Sequence, residues 1–411
     1  MNVYIQRASA ILSKIDQLAS ISETTTGITR TFGSPSFLEG SRLIRQWMEA
    51  LGLQTRVDTI GSVRGRWASP TKEARTFVIA SHMDTVVNAG KFDGPLGIIM
   101  GLDLIEQFIQ SEQPLPFHIE LIAFSDEEGV RFHTTYLGSK VVAGSFDEAL
   151  LDKKDASGTS LSDVIQAMGG DIGCLVSEAI QPQDWLGYFE IHIEQGPVLY
   201  NKAIPVAVVT DIAGQKRVEI MFRGMAGHAG TVPMQMRQDA LCAASEFVLY
   251  VEQLAGNQSN LVATVGTLIV ANAASNVIPG EVICSLDIRS NDEVILTKAY
   301  QLLQDASSQL GRARSVSVEW KLIQETASVA CDARLTNLLA TAIAESGYDV
   351  VRLVSGAGHD GVPISQVAPI AMLFVRCFEG ISHNPLEQVE LTDLAAALEV
   401  ADQFMKKLIT L

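Results

Sequence analysis

The stretch Phe77-Val78-Ile79-Ala80-Ser81-His82-Met83-Asp84 constrains this chain more than any other. Its apolar run reads as a buried strand. His82 and Asp84 are two apart, so on a strand they point to the same side. Asp93 follows after a loop containing Gly90. A histidine and carboxylates at the end of a buried strand are the makings of a metal site in an α/β protein. Solvated polar residues in a strand-end turn account for this stretch equally well, so the rest of the chain has to decide.

Elsewhere, helical and strand patterns alternate. Helices are expected over 3–19, 37–51, 97–109 and around 161–168, with strands within 54–67 and over 118–124 and 188–193. That alternation predicts an α/β domain with a mostly parallel sheet. From residue 212 the order becomes strand 217–222, helix 239–254, strands 261–270 and 281–288, helix 292–310 and strand 315–323. This is the βαββαβ order of a ferredoxin-like unit. A helix at 335–346, a strand at 371–376 and a helix at 391–409 then complete the first pattern. We therefore expect a catalytic domain from 1–211 and 327–411, interrupted by an inserted domain at 212–326. A chain of 411 residues is long enough for two cores.

A net charge of −17 argues against nucleic acid or an anionic membrane as partner. The five cysteines are scattered and form no C-x-x-C pair, which fits a reducing compartment. Residues 1–20 lack the continuous apolar core of a secretory leader, and no apolar run is long enough to span a bilayer. A cytoplasmic protein is expected.

Metal-type side chains sit at or just beyond the ends of the first domain's strands: His82, Asp84 and Asp93; Glu127 and Glu128; His192; and His383. Singly, each has an ordinary reading as a core histidine, a solvated turn or a loop residue. In an open α/β sheet, however, sites form at the carboxyl ends of strands, and these residues converge there. Three histidines, an Asp and a Glu exceed one four-coordinate ion. Two ions sharing Asp93 accommodate them, with His82, Asp93 and His192 on one and Asp93, Glu128 and His383 on the other. Imidazole with carboxylate suits Zn²⁺ or Mn²⁺. Glu127 is then free to act as general base, and Asp84 to orient His82.

These residues lie in segments that resemble the dinuclear metal amidohydrolases of the aminoacylase/carboxypeptidase type. The similarity is to the branch of N-carbamoyl-L-amino-acid hydrolases, ureidopropionases and allantoate amidohydrolases. It runs through Ser81–Thr85, Gly90–Gly94, Ser125–Phe132, His192–Pro197, Gly227–Met234, Ser275–Gly280, Ser355–Asp360 and Ile381–Pro385. The peptidase branch commonly has a carboxylate at the position of His192, so His192 points to the carbamoyl-cleaving branch. The segments 124–132, 227–234 and 373–377 are most similar to the allantoate-cleaving members.

The resemblance implies further roles. Arg289 would bind a substrate carboxylate, Asn276 would hydrogen-bond the same end, and His228 would stabilise the oxyanion. Gln195, Gly358 and Gln215 become pocket candidates. The inserted domain would act as lid and dimer contact, giving a homodimer, with domain closure assembling the site. The expected reaction is hydrolysis of the ureido C–N bond of allantoate, a small ureido substrate with a carboxylate. The alternatives are an N-carbamoyl-L-amino-acid hydrolase, a dipeptidase and a non-catalytic binding protein.

Overall fold

The computed structural model of the protein describes residues 2–71, 73–111 and 114–410; Met1 and Leu411, the outer ends of the first expected domain, lie outside them. The chain divides into two compact units, Met1–Thr210 with Cys331–Leu411, and Asp211–Ala330.

Local chemistry starts the first helices. Asn2 accepts the Tyr4 amide and caps α1 (Val3–Ala19). Ser34 accepts the Phe37 amide and caps α2 (Pro35–Ala50), where Pro35 occupies a first-turn position that needs no N–H. The chain continues through β1 (Gln54–Val57), β2 (Val63–Trp67), β3 (Thr76–His82), α3 (Pro95–Ser111), β4 (His118–Phe124), α4 (Leu137–Val142), α5 (Leu161–Ala167), β5 (Trp185–Ile193), α6 (Val198–Lys202) and β6 (Val206–Ile212). The second unit follows with β7 (Gly214–Arg223), β8 (Gly227–His228), α7 (Ala240–Gly256), β9 (Val262–Thr264), β10 (Leu268–Val270), β11 (Val277–Ile278), β12 (Glu281–Ser290), α8 (Glu293–Arg314), β13 (Ser317–Thr326) and β14 (Val329–Ala330). The first unit resumes with α9 (Ala333–Glu345), β15 (Arg352–Ser355), α10 (Gly361–Ile364), β16 (Ile370–Val375) and α11 (Leu391–Ile409).

The large sheet runs β1-β2-β4-β3-β5-β16-β6, with β14 and β15 also paired to β6. Its centre, β4-β3-β5-β16, is parallel, and β2 and β6 on either side of it pair antiparallel to it. Every residue of β3 and β4 is buried, and both read as mostly apolar runs, Phe77–Ala80 in β3 and Leu121–Phe124 in β4, with Glu120 of β4 paired to the buried Arg64. Phe77, Ile79, Leu121, Phe189 and Ile191 from the sheet pack with Ile99 of α3 and Phe404 of α11 in one core. The α/β expectation holds. The parallel register pairs His82 with Phe124 and Phe374 with His192. The loops that follow β3, β4, β5 and β16 therefore leave from one sheet edge.

The second unit is an antiparallel sheet ordered β10-β12-β7-β13, with β9 also on β12. Val282, Cys284, Leu286 and Ile288 alternate inward along β12 and join Phe247 of α7 and Leu303 of α8 in a separate core. The chain order β7, α7, β9 and β10, β12, α8, β13 is ferredoxin-like. The structure differs from the sequence reading in several short elements, α4, α6, α10, β8, β11 and β14, which that reading lacks, and in its strands. The single strand expected over 261–270 is two short strands separated by Val265-Gly266-Thr267, and β6 and β15 had not been anticipated.

Candidate metal centre

Asp93 is the hub of the site. Its Oδ1 faces His192 Nε2 at 3.1 Å and His82 Nε2 at 3.5 Å, while its Oδ2 faces His383 Nε2 at 3.3 Å. His383 Nε2 is also 3.5 Å from Glu128 Oε1. Ligand-type atoms of His82, Asp93 and His192 cluster within 4.8 Å, and so do those of Asp93, Glu128 and His383. Gly94 makes this possible: at φ 83°, a Cβ there would lie 2.5 Å from the His82 ring.

The donor set fits divalent cations. His192 Nδ1 lies 2.9 Å from the Ile193 carbonyl and must carry its proton, which leaves the lone pair on Nε2. That Nε2 is buried without a hydrogen bond although Asp93 Oδ1 is close. Two lone-pair atoms facing each other in a buried site are arranged as for a shared cation. His82 repeats the pattern, with Nδ1 3.1 Å from the Asp84 carbonyl and Nε2 toward Asp93. His383 is the accessible member, its side chain 48 % exposed.

Without a cation the cluster holds protons instead. Burial opposes protonation of His82, but Asp84 and Asp93 outweigh it and hold its pKa well above the usual value. Burial likewise works against the Asp93 carboxylate, yet the three imidazoles hold its pKa well below the ordinary range. Asp93 pulls the pKa of His383 up to about 9 against its burial. Burial and neighbouring Asp93 push Glu128 up to about 7.

Glu127 and Glu128 follow β4 on a turn that Asp84 organises. Asp84 Oδ1 accepts the Glu127 amide at 3.0 Å and Oδ2 accepts the Glu128 amide at 3.1 Å. The Asp84 carboxylate is 3.5 Å from His82 Nδ1, whose close partner is the Asp84 backbone carbonyl. The contact of Asp84 with the histidine is thus made chiefly by its backbone, and its carboxylate fixes the adjoining pair of glutamates. Arg30, almost wholly buried, donates to the carbonyls of Met83, Leu18 and Ile21 and ties this strand end to the end of α1. Burial, reinforced by Glu128 and Asp360, holds the Glu127 carboxyl well above the ordinary carboxylate range.

Gln195 donates its amide to Asp93 Oδ2 at 2.7 Å, so in this structure it supports the hub. Gly358 packs against the Tyr136 side chain, and the Tyr136 amide donates to the Glu127 carbonyl. In the second unit, β8 pairs with β11 so that His228 stands opposite Val277, and the Ala229 amide donates to the Asn276 carbonyl. His228 and Asn276 are therefore neighbours. Arg289 lies on β12, where Nε and Nη2 donate to both oxygens of Asp287 at 2.8 and 2.9 Å, and Gln215 is its register partner on β7.

Three supporting residues escaped the sequence reading. The Ser382 hydroxyl donates to Asp93 Oδ2 at 2.6 Å. Glu387 accepts the Phe92 and Asp93 amides. His359 presents its ring edge to His192, with centroids 4.6 Å apart, and its Nε2 lies 2.7 Å from the Ser355 hydroxyl. The available signal for the first two was their proximity in sequence to His383.

The fold and the buried, shared-carboxylate cluster define a metal-dependent hydrolase, and the family model for Peptidase family M20/M25/M40 matches residues 78–407. The chain belongs to this family. It is 38 % identical over 428 residues to allantoate deiminase 1 of Glycine max, covering 97 % of this chain and 89 % of the relative. It is 34 % identical over 374 residues to an N-carbamoyl-L-amino acid amidohydrolase of Geobacillus stearothermophilus, covering 91 % of each. The crystal structure of an amidase of the hydantoinase/carbamoylase family from Burkholderia multivorans aligns with a TM-score of 0.90 at 33 % identity, covering 97 % of each chain.

Proposed function

We propose that the protein hydrolyses the ureido C–N bond of allantoate with two divalent cations, Zn²⁺ or Mn²⁺, per subunit. The observation that carries this reading is Asp93, with one oxygen toward His82 and His192 and the other toward His383, next to the buried Glu127. Bound cations would supply an activated water and polarise the ureido carbonyl. Glu127 takes the water's proton and passes it to the leaving nitrogen. The C–N bond breaks, giving ureidoglycine and carbamate, and carbamate falls apart to ammonia and carbon dioxide. Asp84 holds the Glu127 backbone through this exchange. Arg289 would turn the fork that Asp287 holds in this structure to the substrate carboxylate, Asn276 would add a hydrogen bond, and His228 would donate to the oxyanion. Gln195 and Gly358 flank the reacting group.

The runner-up, an N-carbamoyl-L-amino-acid hydrolase, draws support from the Geobacillus relative. Turnover of allantoate beside a panel of N-carbamoyl-L-amino acids, after reconstitution with Mn²⁺ and with Zn²⁺, decides between them. Glu127→Gln should keep its metal and lose about 10²–10⁴-fold in kcat; substantial activity removes Glu127 as base. The proposal includes a homodimer formed through the second unit, which sedimentation tests. It also includes a cytoplasmic setting, consistent with the five free thiols. Among the described residues no helix is long and apolar enough to cross a membrane.

A further inference from the structure

Glu387 is a buried carboxylate in the segment just beyond His383. Its Oε1 accepts two consecutive backbone amides, Phe92 at 2.7 Å and Asp93 at 3.1 Å. Its Oε2 lies 3.2 Å from the Ser382 hydroxyl, and that hydroxyl reaches Asp93 Oδ2 at 2.6 Å. Burying a carboxylate is costly unless hydrogen bonds compensate it, so this placement is held by those contacts. The neighbouring chain is shaped to admit it: a Cβ on Gly90 would lie 2.2 Å from Glu387 Cβ. Glu387 therefore touches the loop that carries the shared carboxylate and the loop that carries His383, which are far apart in sequence.

We propose that Glu387 is a positioning residue that fixes the Asp93 loop against the Ser382–His383 loop, and so sets the geometry in which Asp93 serves two cations. Its role is geometric. Oε1 sets the backbone on which the Asp93 side chain stands, and Oε2 shares the single Ser382 hydroxyl proton with Asp93 Oδ2 in a three-centre contact. His383 follows Ser382 directly, so the same contact sets the histidine's approach. This inference rests on the reading of the cluster as a two-cation site.

The test compares Glu387→Ala with Glu387→Gln. A glutamine keeps an oxygen for the two amides and can donate its NH₂ to the Ser382 oxygen, so it preserves the contacts without the charge. Purified wild-type and variant chains are stripped of metal, their melting is recorded, and Zn²⁺ binding is measured by competition with a chromophoric chelator. Groups that orient metal ligands typically change affinity by about 10–100-fold when removed. Glu387→Ala should weaken the second Zn²⁺ by that factor, and its stoichiometry after gel filtration should fall from two toward one. Glu387→Gln should stay within about threefold of wild type, because the hydrogen bonds that position the ligands persist. Glu387→Asp, too short to span both loops, should fall between them, and it replaces the alanine variant if that does not fold.

Wild-type affinity in Glu387→Ala, or in Glu387→Asp where that stands in, overturns the inference. So does a Gln variant as weak as Ala, because that would make charge and not geometry the cause. A wild-type chain that binds fewer than two ions overturns the two-cation reading itself, and this inference with it.

Discussion

Asp84→Asn is the sharpest test of how the centre is assembled. Both Asp84 oxygens are occupied by backbone donors, the Glu127 amide at 3.0 Å and the Glu128 amide at 3.1 Å, at a side chain only 1 % exposed. Asparagine has one oxygen. Whichever amide it serves, the other backbone N–H loses its acceptor and the new NH₂ is buried against it, so two buried donors are left without an acceptor. Each such donor costs about 1–3 kcal/mol, which puts the change at about 2–6 kcal/mol. That is a large part of the ~5–15 kcal/mol stability typical of a protein. Urea unfolding of the metal-stripped protein should show a lower midpoint at unchanged slope. The effect on chemistry should also be selective. The near partner of His82 Nδ1 is the Asp84 backbone carbonyl, which asparagine retains, so the histidine should stay in place while the Glu127–Glu128 turn shifts. We expect kcat to fall together with the affinity for the cation that Glu128 would hold, while the position formed by His82, Asp93 and His192 keeps its affinity. A variant within 0.5 kcal/mol of wild type, about the size of an ordinary surface change, would refute the argument. An equal loss of Zn²⁺ affinity at both positions would do the same.

The metal-stripped protein should lose stability as pH rises. His383 is raised to about 9, so its contribution is complete below the ordinary histidine range and vanishes as pH passes about 9. Glu128 and Glu387, both raised to about 7, bind protons more tightly folded than unfolded, and their contribution likewise disappears as pH passes about 7. Saturating Zn²⁺ or Mn²⁺ replaces those protons, so the gap in Tm between loaded and stripped protein should widen from pH 5 to pH 9; a constant gap contradicts it. Arg289→Lys keeps the charge but loses the fork, and should raise KM for a carboxylate substrate by about 10–100-fold with little change in kcat; an unchanged KM removes Arg289 from the pocket. Gly358→Ala places a Cβ 1.7 Å from the Tyr136 hydroxyl and should cost about 1–3 kcal/mol by overpacking. Adding Tyr136→Phe, which leaves the nearest ring carbon 2.9 Å away, should recover part of that loss in a melting experiment.

Fully buried parallel strands were the legible part of this fold. β3, β4 and β16 are buried along their whole length, so each carries an apolar stretch of at least four residues, and β16 is apolar throughout. β15 is not legible because it is four residues long and two of them, Arg352 and Val354, are exposed, leaving a weak pattern. β6 is apolar enough to read, but it adjoins the point where the chain passes from one unit to the next, and a boundary was expected there instead. The split of 261–270 follows from pairing: β9 and β10 both bond to β12, at different stretches of it, and periodicity within one segment carries no information about that.

The same distinction explains the site. His82, Asp93, Glu128, His192 and His383 could be grouped from sequence because each follows or ends a strand whose direction the α/β pattern had already set. What could not be read was which groups hold them. A carboxylate such as Glu387 in a loop is solvated in most proteins, and only tertiary structure tells this one apart by placing two amides against it. Gln195 shows the converse. A residue assigned to the pocket by resemblance donates to Asp93, so its side chain is part of the hub in this structure. Left-handed backbone at Asp126, Gln195 and His383, each within three residues of a proposed ligand or itself one, points the same way. Side chains other than glycine occupy that region at a cost of about 1–3 kcal/mol, and keep it where surrounding contacts over-determine the position. The amides on Asp84, the serine and glutamine on Asp93, and the carboxylate of Glu387 are such contacts. Ligand identity is therefore written locally in this chain, whereas ligand geometry is written in pairings between distant segments.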